Sequence, residues 1–495
     1  MLHCNTKTIL FTLTFLLKFL SKFEVKMKKT DQYTYRYNPI WVRFLTFFLA
    51  TFFSILGVVT LVVVQGNLIN IKEGEVVPSG SIRIRSNVKD FKVYINGKEK
   101  PTVDNVVTGI PEGEYIVEIV KPQYQKFETF TSVKNGLVTD VNVHLFLEKP
   151  KYNKILDALE IYFSDNQDFL FGLTSQNLFR KNFNSSLLSF LESDTQLILN
   201  SDSLIFNLLQ ESPNIKISPS GKFMLLNNDL KVYIFPTDFK INNDVPETYL
   251  ITIPYTFNEV FWLDDETLIF TSDDLLFELN HKKNVSSIIS IPSDENFSFY
   301  INKPESTIYY VNNNIFYKYN NDESTAIELP FDLINHELIF SNKEKVIFRN
   351  NSETIVFYFD IKNFYYFEDF IVEKFNNASD ILIGYNDTGD IVALQLIKRL
   401  TSKSVDVVPI KPIPEFKDID FQSINWSLND SFFTFQKKND PNTIYASTPQ
   451  ITQIIPVFKH KDGLFYKTLI SQDAKSILVH TLSPVREVYR IQIEE

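Results

Sequence analysis

The sequence predicts an all-β chain, in which a small β-sandwich is followed by a seven- or eight-bladed β-propeller, both carried behind one N-terminal transmembrane helix. Three observations predict it. Phe44 to Val64 runs 21 residues without a charge, about the length a helix needs to cross a bilayer core. Residues 81–147 alternate apolar and polar side chains with the period of half-buried strands. Beyond about residue 151, polar turns that precede apolar strands recur 39 to 45 residues apart, the length of one four-stranded blade.

The totals bound what the chain can be. Its 495 residues exceed one ordinary core, and 44% hydrophobic with 22% charged residues excludes a mostly disordered chain. Cys4 is the only cysteine, so no internal disulfide and no Cys/His zinc cluster can form. Residues 1–43 hold eight basic groups against Glu24 and Asp31, while the whole chain is at −11. The acidic excess therefore belongs to the C-terminal part, which repels phosphate backbones and argues against a nucleic-acid partner.

The apolar run from Phe44 to Val64 lacks the polar stripe of a buried core helix. Tyr33, Tyr35, Tyr37 and Trp41 precede it, where amphipathic rings favour the membrane interface; Tyr37 and Trp41 are the interfacial pair nearest the helix. Basic residues cluster before the run, which places the N-terminus in the cytoplasm and the bulk of the chain outside the cytoplasmic membrane. The flank Val-Val-Gln-Gly-Asn lacks a small-x-small cleavage pattern, so the helix is read as an uncleaved signal anchor, with membrane lipid as its partner. No cysteine follows it, which excludes a lipoprotein anchor. A shorter run, Thr8 to Leu17, ends at Lys18 and falls short of a span. Met27 opens a conventional charged start, which makes residues 1–26 a candidate over-extension of the reading frame. The predicted organisation is a basic tail at 1–43, the helix at 44–64, a linker at 65–80, the sandwich at 81–148 and the propeller at 149–495.

In the first module Ile82 and Ile84 face one way and Arg83 and Arg85 the other. Phe91, Val93 and Ile95, then Tyr115, Val117 and Ile119, then Val141, Val143, Leu145 and Leu147 repeat that pattern. Asn96-Gly97, Pro111-Glu112-Gly113 and Asn135-Gly136 supply the turns. An antiparallel sandwich of about 70 residues is expected. The runs SIRIRSNVKDFKVYINGK, GIPEGEYIVEIVKPQYQKF and VKNGLVTDVNVHL resemble a PEGA domain. Pro111, Glu112 and Gly113 match three of the four letters of its naming motif, Glu114 replaces the alanine, and Gln123-Tyr124 stands where the family usually has Gly-Tyr. The resemblance implies a β-sandwich of surface and envelope proteins with no catalytic residues, and gives Gly97, Pro111, Glu112 and Gly113 structural roles. His144 falls on the outward side of its strand and is expected to be a solvated or edge histidine rather than a ligand.

The large module carries seven regularly spaced turns at Pro219–Lys222, Asp264–Glu266, Lys303–Glu305, Asn342–Glu344, Asn386–Gly389, Leu428–Asp430 and Gln472–Lys475, and an earlier one, Asp165–Asp168, stretched to 54 residues before the next. Lys154 to Phe163 reads as a linker helix or a first strand. Ser218-Pro219-Ser220-Gly221-Lys222-Phe223 is similar to the TolB-type or WD-like repeat, although the WD dipeptide is absent. Packing between blades accounts for the 46 phenylalanines as core filler; Phe364-Tyr365-Tyr366-Phe367 is the run that could instead stack on a sugar or peptide.

No Gly-x-Ser-x-Gly elbow, phosphate-cradling loop or His-x-x-x-His pair occurs. Asp264-Asp265 and Asp273-Asp274 lack calcium-loop spacing and read as solvated turns. The expected protein is therefore not an enzyme and needs no cofactor or metal. It is a binding or scaffolding protein of the cell envelope, offering its propeller face to a protein, glycan or wall polymer. An extracytoplasmic hydrolase with channel carboxylates is the alternative, and converging buried carboxylates beside an arginine would favour it.

Overall fold

A computed structural model describes residues 39–494 apart from 65–66, 71–74, 166–168, 183–194, 201–214, 238–249, 254–256, 292–296, 400–402, 461–464, 482–485 and scattered single or paired positions. The chain falls into two compact units, residues 1–80, 109–112 and 134–137 in the first and 81–108, 113–133 and 138–495 in the second.

In the first unit Pro39–Val64 is a helix, α1, and Asn67–Asn70 pairs antiparallel with residues 75–78. Side chains of α1 are described from Phe44 to Gly57 and at Thr60. Among the described residues no helix is long and apolar enough to cross a membrane. Glu112 N donates to Pro78 O at 3.0 Å and Gly136 N to Ser79 O at 2.9 Å.

The second unit opens with the sandwich. Ile82, Ile84, Val93, Ile95, Val117, Ile119, Val141 and Val143 are buried, as the alternation requires. One sheet has the strand order Lys98–Lys100, Lys92–Ile95, Gly113–Val120, Phe127–Val133. Across the core, Ser81–Ser86 pairs with Val138–Val143 in parallel, so the sandwich is not wholly antiparallel as expected. Alternation reports which side chains are buried and carries no information on strand direction.

The remainder forms eight antiparallel four-stranded sheets, which fixes the blade number at eight among the described residues. Their first strands begin at Glu160, Ile215, Glu259, Ser298, Glu337, Phe370, Ile419 and Phe465. The last blade takes its outermost strand, Lys151–Asp157, from the start of the module, paired with Glu487–Gln492. Lys154 to Phe163 is thus the end of this strand and the whole of the next, Glu160–Phe163, rather than helix, and the pairing of Lys151–Asp157 ties the two ends of the propeller together. Apolar side chains fill the gaps between blades: Leu225, Ile234, Trp262, Phe270 and Phe277 between the second and third, and Tyr309, Phe316, Phe348 and Phe357 between the fourth and fifth. Each such ring contributes about 1.5–3 kcal/mol by leaving water.

Six of the expected turns join the first and second strands of a blade, and of the expected turn Asp165–Asp168, residues 166–168 lie outside the described residues. Asn386–Gly389 instead joins the second and third strands of the sixth blade, Ile381–Asn386 and Ile391–Arg399. There the inner hairpin turns at residues 376–380, with Ser379 at φ 53°. Gly384 lies beside a register shift between Val372 and Lys374, and a Cβ there would sit 1.9 Å from Ile371 O. Because the obstacle is backbone, Gly384→Ala is expected to cost about 3 kcal/mol, near the upper end for overpacking; a denaturant midpoint equal to the parent's would contradict this.

Candidate functional site

The sandwich and the propeller are joined by more than a linker. After Val143 the chain runs His144-Leu145-Phe146-Leu147, and Phe146 enters the core of the last two blades with Phe432, Ile444, Ile477 and Ile491. Leu147 N donates to Ile493 O at 2.9 Å. Asn87 bonds both backbone groups of Leu145, with Oδ1 accepting at 2.8 Å and Nδ2 donating at 3.1 Å, and Nδ2 also reaches Glu494 Oε2 at 3.1 Å. From the seventh blade, Gln453 Nε2 donates to Lys126 O at 2.9 Å.

His144 corrects an expectation at this junction. It does face away from the sandwich interior, but the propeller covers it and leaves it 2% exposed. Its ring packs 4.4 Å from Phe432 and 4.8 Å from Phe146, with Nδ1 3.3 Å from Ser431 Oγ. Burial disfavours the charged imidazolium and pushes its pKa down to about 3. Period-two alternation could not reveal this, because the covering surface comes from nearly 290 residues away.

A second feature is a polar recess of about 640 Å³ on the fifth and sixth blades. Arg349, at the end of strand Lys345–Arg349, lies between Glu337 at 3.2 Å and Glu373 at 3.7 Å, and also donates to Val372 O at 2.9 Å. Tyr385 lines the recess beside Glu373, and burial followed by the Glu373 charge raises its phenol pKa. Alongside, His336 Nε2 lies 2.9 Å from Glu353 Oε1, which also accepts from Asn350 Nδ2 at 2.8 Å. Neither cluster was anticipated from sequence, since its members belong to different strands and share no motif.

The predicted residues have local roles. Asn96 at φ 48° and Gly97 at φ 74° form the tight hairpin after Lys92–Ile95, a left-handed pair that glycine makes inexpensive. Pro111 ends the strand Val106–Pro111, Glu112 bonds Pro78 as described, and Gly113 opens Gly113–Val120, where a Cβ would meet the Tyr115 ring at 3.6 Å. Phe44 is 65% exposed on α1; Trp41 and Val64 belong to the same helix, and Tyr37 lies outside the described residues.

Asp264 caps its own turn through Glu266 N and Thr267 N, both at 2.7 Å, while Asp265 accepts from Ser220 N at 3.0 Å and from its hydroxyl. Asp430 likewise accepts Asn377 N and Ala378 N at 3.0 Å. Asp265 and Asp430 therefore tie neighbouring blades together, while Asp264 holds its own turn. Asp165 pairs with Lys303 at 2.7 Å, and Asp273 and Asp274 lie outside the described residues. Among the described residues no group of three or more His, Cys, Asp or Glu could hold a metal ion.

With the two-sheet sandwich, its Asn-Gly hairpin and its Pro-Glu-Gly corner in place, the module can be identified. Residues 79–149 match the PEGA domain family. The PEGA domain accounts for that module alone. No curated protein sequence matches the chain. Among solved structures it is similar to the WD40 domain of SCAP from fission yeast, at 10% identity over 70% of this chain and 99% of that one, TM-score 0.40. BamB from Moraxella catarrhalis gives 10% identity over 69% and 98%, TM-score 0.41. The β-propeller domain of Cps50 (Swd1) from Myceliophteria thermophila gives 7% over 70% and 99%, TM-score 0.37. At these scores they carry no argument about function, and the propeller is established by this chain's own strand pairing.

Proposed function

We propose that this chain is a single-pass scaffold of the cytoplasmic membrane, displaying its PEGA domain and propeller outside the cell as one binding body for a protein or glycan partner. The observation that carries this reading is Phe146, a PEGA-domain side chain buried in the core of the last two blades. A body consolidated in this way presents a fixed surface, so little ordering entropy is lost when a partner docks. For the anchor, support comes from the charge-free sequence of residues 44–64 and from Phe44, Phe47, Phe48, Phe52 and Ile55, all exposed on α1. A helix apolar around its circumference finds no favourable solvent in water.

The hydrolase alternative has one observation in its favour, the approach of Glu337 and Glu373 to Arg349. Both carboxylates are engaged by the guanidinium, Glu337 is exposed, and neither is poised as a general acid beside a free base. Binding is therefore the stronger reading of the recess.

Protease added to intact, wall-stripped cells tests the topology, and a photo-crosslinker at Tyr385 tests the binding. Degradation of the C-terminal region without lysis, together with a crosslinked partner weakened at least tenfold by Arg349→Ala, is the expected result. Protection until lysis would overturn the anchor, and crosslinking indifferent to Arg349→Ala would overturn the recess.

A further inference from the structure

A groove of about 520 Å³ lies between the PEGA domain and the sixth and seventh blades, away from the polar recess. Its PEGA wall is Phe127–Val133, the terminal strand of its sheet. Lys126 O accepts from Gln453 Nε2 and Ser132 O from Thr139 Oγ1 at 3.0 Å, both from the side opposite strand Gly113–Val120. Backbone groups alternate along a strand, so those of Glu128 and Phe130 point to this same open edge. An open edge is a template for a further strand.

The groove's other features suit an extended polypeptide. Phe130 is 74% exposed within it and Val408, on the facing blade strand Ser404–Ile410, is 40% exposed, which provides apolar seats for alternate side chains of a bound strand. Pro409 on that facing strand has no N–H to offer, so pairing is directed to the PEGA side. Gln450 and Thr452 add polar side chains to the lining. Glu114 is the one charged lining residue, which favours a basic side chain in the occupant.

We infer that this groove, continuous with the PEGA–propeller interface, takes an extended segment of a partner protein, added as a fifth strand on the Phe127–Val133 edge. The segment alternates apolar and polar residues and carries a lysine or arginine opposite Glu114. The inference concerns a surface separate from the recess and requires no particular membrane topology.

The test uses the full chain in detergent micelles and a displayed library of random peptides about 12 residues long, enough to span this edge at about 3.4 Å per residue. Enriched peptides are expected to alternate apolar and polar positions with a basic residue, and to protect the Glu128 and Phe130 amides from hydrogen exchange. Affinity should fall at least tenfold in Glu128→Pro, which removes one donor from the open edge, and in Phe130→Ser. Protection on the unmodified chain reads the site even where a variant folds poorly. No enrichment, protection elsewhere, or unchanged affinity in folded variants would overturn the inference.

Discussion

Replacing Phe432 with alanine is expected to cost about 3–5 kcal/mol, the range for emptying a buried phenylalanine site. The side chain is fully buried, crosses Phe146 edge-on at 5.2 Å between centroids, and faces His144 at 4.4 Å. Its loss removes apolar contact from the last two blades and from the PEGA domain together, so both should loosen in one transition. Phe146→Ala should produce a similar loss, and the double variant should lose less than the two singles combined, because each single already removes their shared contact. Phe364→Ala is the control: that ring lies on the outermost strand of the fifth blade and is partly exposed, so about 1 kcal/mol or less is expected. Denaturant titration followed by tryptophan emission checks all four variants. A Phe432→Ala midpoint as high as that of Phe364→Ala would show that the two modules are merely adjacent.

That coupling was outside what the sequence made legible. The blade period could be read because each inner hairpin needs a polar turn and each following strand is apolar, and six of the seven turns described in full lie where that logic puts them. The remaining one shows its limit. Asn386-Asp387-Thr388-Gly389 has the stronger turn composition, with Gly389 at φ 82°, and does precede a strand, Ile391–Arg399, but the inner hairpin of this blade turns at residues 376–380, a glycine-free turn stabilised by Asn376 Oδ1 accepting from Asp380 N and Ile381 N at 2.9 Å. Composition signals a hairpin without saying which hairpin of the blade it closes. The aromatic run at residues 364–367 divides by the same alternation: Phe364 and Tyr366 are exposed, while Tyr365 and Phe367 pack against the core shared by the fifth and sixth blades. The Arg349 recess was not legible because Glu337 is set opposite Arg349 by strand register within the fifth blade while Glu373 comes from the sixth, so only the packing of the two blades brings both carboxylates to one guanidinium.

The same junction should make the chain sensitive to acid. His144 titrates near 6.5 when unfolded and at about 3 when folded, so between those values the unfolded chain binds the extra proton. Stability from this residue is fully present above pH 6.5 and is lost progressively as pH falls toward 3. From pH 7 to pH 5 the loss is about 2 kcal/mol, from roughly 1.4 kcal/mol per unit of displaced titration. The groups around the ring are Asn87, Ser431, Phe146 and Phe432. None of these carries a charge, and the Glu494 carboxylate beyond Asn87 accepts from Asn87 Nδ2 and pairs with Lys475 at 3.4 Å. His480 is also depressed by burial and adds a slope of the same sign, so the difference between the parent and His144→Gln isolates His144. The glutamine variant should lose about 2 kcal/mol less over that interval. Parallel stability curves for the two proteins between pH 7 and pH 5 would mean that His144 is already reached by water in the folded chain, and that the propeller does not seal the PEGA domain's outer face.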